Sequence, residues 1–231
     1  MRIGILETGS PPPALKSLAE PYRNMIRKML GEAYSFRDFD ATRNLPRASE
    51  RLDAYFITGS ASAVYSNERW IEDLIGWLQR LDRSIPLVGI CFGHQIMAQA
   101  FGGRVERSDL GWMGGLQKHQ VVKAQHWMND DSDFYLPIAH EDRVVGVPES
   151  AVVLARSNSS ANAVLSYRNR SAISFQGHPE FSTQYAALLV DYYAKIHMIG
   201  GANLSRAKAS FNLRSDSSRI AQWIRSFIEI S

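Results

Sequence analysis

Short apolar runs and stretches of helical spacing take turns along the first part of the chain. Arg2–Leu6, Ala54–Thr58 and Pro86–Ile90 are mostly apolar and of strand length. A strand with one wet face alternates apolar and polar positions, whereas a strand covered on both faces is apolar throughout. These three are of the second kind. Between them, Tyr22, Met25, Ile26, Met29 and Leu30 recur at helical spacing. Trp70, Ile71, Leu74, Ile75, Leu78 and Leu81 form a stronger stripe, with Asn67 as a candidate N-cap. The β-α-β-α-β order predicts a parallel sheet with right-handed crossovers.

The second half changes character. Val121-Val122, Val144–Val147, Val152–Ala155, Ala163–Tyr167 and Ala172–Phe175 are predicted short strands with close turns, and Asn169-Arg170 predicts a hairpin between the last two. Two helices are expected to close the chain, over Thr183–Met198 and Ser218–Ile230. The second carries Ile220, Trp223, Ile224, Phe227 and Ile228 on one face, which should dock on the body and leave its basic residues in solvent. Ser10-Pro11-Pro12-Pro13 follows the first strand as a stiff loop, at the carboxyl edge where open α/β sheets bind ligands.

The chain has 231 residues, of which 45% are hydrophobic and 21% charged, a balance that argues against disorder. One domain over 1–231 is expected, with 201–231 an appended helix segment. The net charge of +3 is local. Residues 201–231 hold Arg206, Lys208, Arg214, Arg219 and Arg225 against Asp216 and Glu229, so the remainder is neutral. Spaced charges of this kind do not make a nucleic-acid face. A single cysteine rules out an intrachain disulfide. No apolar run approaches the ~20 residues of a membrane span, and Met1-Arg2-Ile3-Gly4-Ile5-Leu6-Glu7 lacks the features of a secretory signal. The expected location is the cytoplasm, with no nucleic-acid or membrane partner.

The most informative stretch surrounds that cysteine: Pro86-Leu87-Val88-Gly89-Ile90-Cys91-Phe92-Gly93-His94-Gln95. A buried strand enters Gly-x-Cys-x-Gly and leaves as a helix, the context of a nucleophile turn. A sharp turn brings backbone close on either side of its apex, so positions 89 and 93 call for glycine. The N–H groups and dipole of a helix starting after Cys91 suit a thiolate or an oxyanion. A lone cysteine is more often a buried structural residue, and the flanking glycines and strand-to-helix switch argue against that here. A thiol nucleophile needs a base and the base an orienter. Gln176-Gly177-His178-Pro179-Glu180 places a histidine at a strand end with a carboxylate two residues on.

Gly89-Ile90-Cys91-Phe92-Gly93-His94-Gln95 followed by Gly177-His178-Pro179-Glu180 resembles the class I glutamine amidotransferases. Within them it is similar to the free-standing members related to the amidotransferase domain of GMP synthase. The resemblance spans roughly residues 1–195 and includes Thr58-Gly59-Ser60, similar to an oxyanion loop, and Ala139-His140-Glu141-Asp142, similar to a segment lining the glutamine site. It implies a three-layer α/β sandwich with a mostly parallel central sheet, flavodoxin-like in outline. It also implies a catalytic set of Cys91, His178 and Glu180. Oxyanion and substrate contacts would come from Gly59, Ser60, Phe92, Gln95, His140 and Glu141. The substrate would be glutamine or a γ-glutamyl small molecule, with no cofactor.

Other candidates are weaker. His94 is expected to serve local packing or hydrogen bonding, His119 and His126 to be exposed, and His197 to sit near a helix C-terminus. No histidine pair has zinc-helix spacing, and Asp130-Asp131-Asp133 lacks the ligand order of a calcium loop, so no metal is expected. Trp112 is expected in a loop, at the pocket edge or as a packing plug. There is no Gly-rich phosphate loop, so ammonia would be released or handed to an ATP-dependent synthetase subunit. Two other readings stay open: hydrolysis of γ-glutamyl peptides, and a non-catalytic partner that binds glutamine or a metabolite.

Overall fold

In the computed structural model, which describes residues 1–47 and 49–230, the apolar runs become neighbouring strands. β1 (Arg2–Glu7), β3 (Ala54–Ile57) and β4 (Leu87–Ile90) lie side by side, with β2 (Ser35–Asp40) outside β1 and β11 (Ala172–Phe175) beside β4. Every pairing among these five is parallel. Beyond β11 the sheet continues antiparallel through β10 (Val164–Tyr167), β9 (Ala151–Ser157), β6 (Met113–Val121) and β7 (Phe134–His140). A separate antiparallel pair joins β5 (Arg104–Arg107) to β8 (Asp142–Gly146).

The continuous apolar runs follow from burial on both faces. Successive side chains of a strand point to opposite sides. Ile3, Ile5, Phe56, Val88 and Ile90 therefore pack on one side against α1 (Tyr22–Leu30) and α6 (Ser217–Ile230). Leu6, Tyr55, Ile57 and Leu87 pack on the other against α2 (Arg69–Arg80) and α3 (Phe92–Ala100). The result is an α/β sandwich of helix, sheet and helix layers. Because β1, β3, β4 and β11 are parallel, their carboxyl ends share one edge, which gathers the segments after Glu7, Ile57, Ile90 and Phe175. Among the described residues no helix is long and apolar enough to cross a membrane.

Several local expectations need correction. Three helices close the chain: α4 (Thr183–Lys195), α5 (Gly201–Ser210) and α6. α5 buries only Ala207 and so has almost no apolar stripe. It sits on β6 because Gly115, at φ +90°, leaves room: a Cβ there would lie 2.5 Å from Ser210 Oγ and 2.8 Å from Ala207 Cα. Asn67 does not cap α2, whose N-cap position is Glu68. Trp112 lies just before β6, which starts at Met113. β2, β5 and β7 are additional strands. The basic residues near the C-terminus are largely engaged. Arg219 pairs with Asp130 at 2.7 Å and stands over Phe134 and Trp223, Lys208 pairs with Asp191 at 3.2 Å, and Arg225 donates to Met29 O at 2.9 Å. His119 is buried and stacked on Phe134, with ring centroids 4.9 Å apart.

Candidate active site

Cys91 sits at the apex between β4 and α3 with φ 53° and ψ −101°, a backbone region that side chains rarely adopt. Three hydrogen bonds hold it there. Cys91 N donates to Phe175 O at 2.8 Å, Gly93 N to Thr58 O at 3.2 Å, and Gln95 N to Cys91 O at 3.0 Å. The turn leaves no space at 89 or 93. A Cβ at 89 would lie 2.6 Å from the Gly93 carbonyl, and one at 93 would lie 2.4 Å from Ile57 O. The thiol is buried, with Sγ 3.8 Å from Ala139 O and accepting from Gln176 Nε2 at 3.7 Å. Phe92 opens α3, so its N–H has no acceptor within the helix.

His178 follows β11 and is anchored by its own N–H donating to Pro137 O at 2.8 Å. Its Nδ1 is 2.7 Å from Glu180 Oε1, in a pair that is almost wholly buried. Phe181 stacks on the imidazole, centroids 3.9 Å apart and planes 7° from parallel. The ring is thereby clamped in position and plane, and Nε2, on the edge away from Glu180, is buried. Burial alone would lower the His178 pKa. The Glu180 carboxylate and the Cys91 thiol outweigh it and push the value up to about 10. Gly59 closes the set: a Cβ there would lie 3.1 Å from His178 Cε1 and 3.6 Å from Cys91 Cβ. Thr8 steadies this loop, its hydroxyl donating to Thr58 O at 2.9 Å and lying 3.2 Å from Gly59 O.

A cleft of about 610 Å³ opens onto this cluster, with Cys91, His178, Gly59, Ser60, Gln95, His140 and Glu141 all among its walls. Two of these are already committed inside the protein. Gln95 Nε2 donates to Asp142 O at 2.9 Å and to Gln176 Oε1 at 3.3 Å. His140 has Nδ1 at 3.0 Å from Asp142 O and Nε2 at 3.0 Å from Ser159 Oγ, and burial lowers its pKa to about 4. Glu141 pairs with Arg107 at 2.9 Å. His94 points away from the thiol to Ser174 Oγ at 2.8 Å, and burial, then the nearby His140, lower its pKa to about 3. Trp112 both lines the cleft and packs on Tyr193, centroids 4.4 Å apart. Thr8, Gln176 and Phe181 are supporting residues that sequence reasoning passed over. A larger cavity of about 760 Å³ lies behind Glu180, between α1, α4 and α6, but Cys91 is not among its walls.

The fold and site together define a class: an α/β sandwich with a cysteine at a strained strand-to-helix turn, facing a buried histidine–carboxylate pair. Residues 23–190 match the model of the family described as glutamine amidotransferase class-I, and the chain belongs to that family. It is 30% identical over 182 residues to gamma-glutamyl peptidase 5 of Arabidopsis thaliana, covering 76% of this chain and 72% of that one. It is also 30% identical over 149 residues to the glutamine-hydrolyzing GMP synthase of Thermosipho melanesiensis, covering 62% of this chain and 27% of that one. A solved glutamine amidotransferase from Thermotoga maritima superposes with a TM-score of 0.72, at 18% identity, over 98% of both chains.

Proposed function

We propose that Cys91, His178 and Glu180 form a catalytic triad that hydrolyses the γ-amide of glutamine or of a γ-glutamyl compound. The observation carrying this reading is the buried His178–Glu180 pair at 2.7 Å, set beside a cysteine held at φ 53°. Cys91 attacks the γ-carbonyl carbon, and the N–H groups of Phe92 and Gly59 receive the developing oxyanion. His178, which takes the thiol proton, returns it to the departing nitrogen. A γ-glutamyl thioester remains. Water deprotonated at His178 attacks it, the C–S bond breaks, and glutamate leaves. Glu180 fixes the imidazole orientation and stabilises its charged form. Ser60, Gln95, His140 and Glu141 line the substrate end of the cleft.

The test is glutamate release by the intact protein and by Cys91→Ala. Loss of a nucleophile is expected to lower kcat by at least about 10³-fold. A glutamine-analogue electrophile should label the wild type at Cys91 and leave the variant unlabelled. Equal background rates and no labelling would support instead a protein that binds a metabolite without turning it over.

A second reading is that the released ammonia passes to an ATP-dependent synthetase subunit in the same cytoplasm. The similarity to one part of a GMP synthase favours it. In that case a synthetase copurifies with the chain and raises its glutaminase rate.

A further inference from the structure

The cleft is larger than a glutamine side chain requires, and its walls carry two kinds of chemistry. A volume of about 610 Å³ falls in the range of sites that enclose drug-sized ligands. Among its walls stand Arg107, Glu141 and Asp142, from the β5 and β8 side, charged groups suited to an amino-acid head. Leu189, Tyr192, Tyr193 and Ile196 line it too, recurring at i, i+3, i+4 and i+7 along α4 and its C-cap as a single helical stripe turned to the cleft. Met198 extends that wall, and Pro11–Pro13 also line the cleft.

This wall is unusual in what it leaves in water. Ile196 and Met198 are 45% and 47% exposed at the rim. Their placement is built into the end of α4. His197 takes φ 60°, so that Met198 N donates back to Tyr193 O at 2.9 Å and His197 N to Ala194 O at 3.1 Å. That left-handed reversal is a Schellman-type end with histidine where glycine is usual. It buries Ile199 and turns Met198 outward beside Ile196.

The catalytic geometry says which part of a substrate meets this wall. The departing amine takes its proton from His178. The face of His178 is covered by Phe181, which packs edge-on against Tyr185 of α4 at 4.7 Å. Phe181 also shares one apolar cluster with Leu189, against which Tyr192 and Tyr193 pack, so the α4 stripe adjoins the group that protonates the leaving nitrogen. We infer that the stripe from Leu189 to Ile196, with Met198, is a leaving-group subsite, and that the substrate is a γ-glutamyl amide whose amine portion is apolar, of the γ-glutamyl-phenylalanine or γ-glutamyl-leucine kind. This rests on the triad reading above. In the reaction the γ C–N bond breaks and the nitrogen takes the thiol proton through His178; water then supplies hydroxyl to the acyl carbon and a proton to the thiolate, so that glutamate and a free amino acid with an apolar side chain leave, with no redox change.

Rates of glutamate release from glutamine, γ-glutamyl-glycine and γ-glutamyl-phenylalanine test it on the intact chain. An aromatic side chain moved from water to an apolar wall should raise kcat/KM for γ-glutamyl-phenylalanine over γ-glutamyl-glycine by about 10- to 100-fold. The double variant Ile196→Asp, Met198→Asp, both exposed positions, should bring that ratio down by at least about tenfold. Equal kcat/KM for the two dipeptides, or a ratio the double variant does not move, overturns the proposal. Failure of the triad reading looks different, because then no amide releases glutamate. The subsite is still tested in that case, by calorimetry on Cys91→Ala. Binding of γ-glutamyl-phenylalanine at least tenfold tighter than γ-glutamyl-glycine supports it, and equal Kd values refute it.

Discussion

Cys91 holds a backbone conformation that costs a non-glycine residue roughly 1–3 kcal/mol. The surrounding hydrogen bonds to Phe175 and Thr58, and the two glycines that let α3 approach β3 and β4, over-determine it. The strain lifts the thiol into the cleft, facing a histidine that cannot rotate away. His178 is gripped by Glu180 along its edge and by Phe181 across its face. The charge on Glu180 is the adjustable part of this arrangement. Glu180→Gln keeps the shape and removes the negative charge, so it should lower the His178 pKa from about 10. In the proposed reaction the proton needed by the leaving amine is then lost at lower pH. The alkaline limb of the kcat/KM profile is expected to move toward neutrality, with kcat falling on the order of 10²-fold or more. A pH–rate series on both proteins checks this, and an unmoved alkaline limb would show that Glu180 does not set the histidine's charge.

At the scale of elements, α6 is an integral layer of the core. Ile220, Trp223, Ile224, Phe227 and Ile228 pack with Ile3, Ile5, Val88 and Ile90 of the central strands. Trp223 is 1% exposed, meets Trp127 and Phe134 edge-on, and donates from Nε1 to Asn129 Oδ1 at 2.9 Å. Trp223→Ala should therefore cost about 3–5 kcal/mol, read from chemical denaturation. A loss under 1 kcal/mol would mean that this end of the chain can detach without loosening the sheet. The docking face of α6 was legible because its apolar spacing is regular, and so were β1, β3, β4, α1 and α2. The turn around Cys91 was legible for a related reason: a turn this tight admits few residue types, so Gly89, Cys91 and Gly93 carry their geometry openly. β2 was not legible, since its segment Ser35–Asp40 buries only Phe39 on a sheet edge and reads as polar. α5 was hidden because backbone fit against Gly115, rather than an apolar stripe, holds it. Partners such as Thr8, Gln176 and Phe181 act through tertiary contact and leave no spacing of their own. Arg219 was assigned to solvent because helix periodicity cannot foresee an acidic loop arriving from Asp130.

Across the whole molecule, buried histidines set opposing pH demands. His94, His119 and His140 are held neutral by burial, with pKa values lowered to about 3, 4 and 4. In the unfolded chain they titrate near 6.5. Between those values the unfolded state binds more protons, so their contribution to stability is present above about pH 6.5 and is lost as pH falls toward 4. His178 has the opposite sign. Its pKa is raised to about 10, so its contribution is present below about pH 6.5 and is lost as pH rises through 10. Stability should accordingly peak near neutrality and fall on the acid side by up to ~1.4 kcal/mol per pH unit for each buried neutral histidine. His119 isolates the effect, because it lies on Phe134 away from the cleft and its Nε2 has no partner among the described residues. His119→Phe keeps the stacked ring and removes the titration, at the cost of one hydrogen bond from Nδ1 to Gln117 O. Its Tm should differ little from the wild type at pH 7.5 and fall less steeply between pH 6 and 4.5. Parallel Tm–pH curves would assign the acid sensitivity to His94 and His140 instead, and a steeper fall in the variant would reverse the sign assigned to the buried ring.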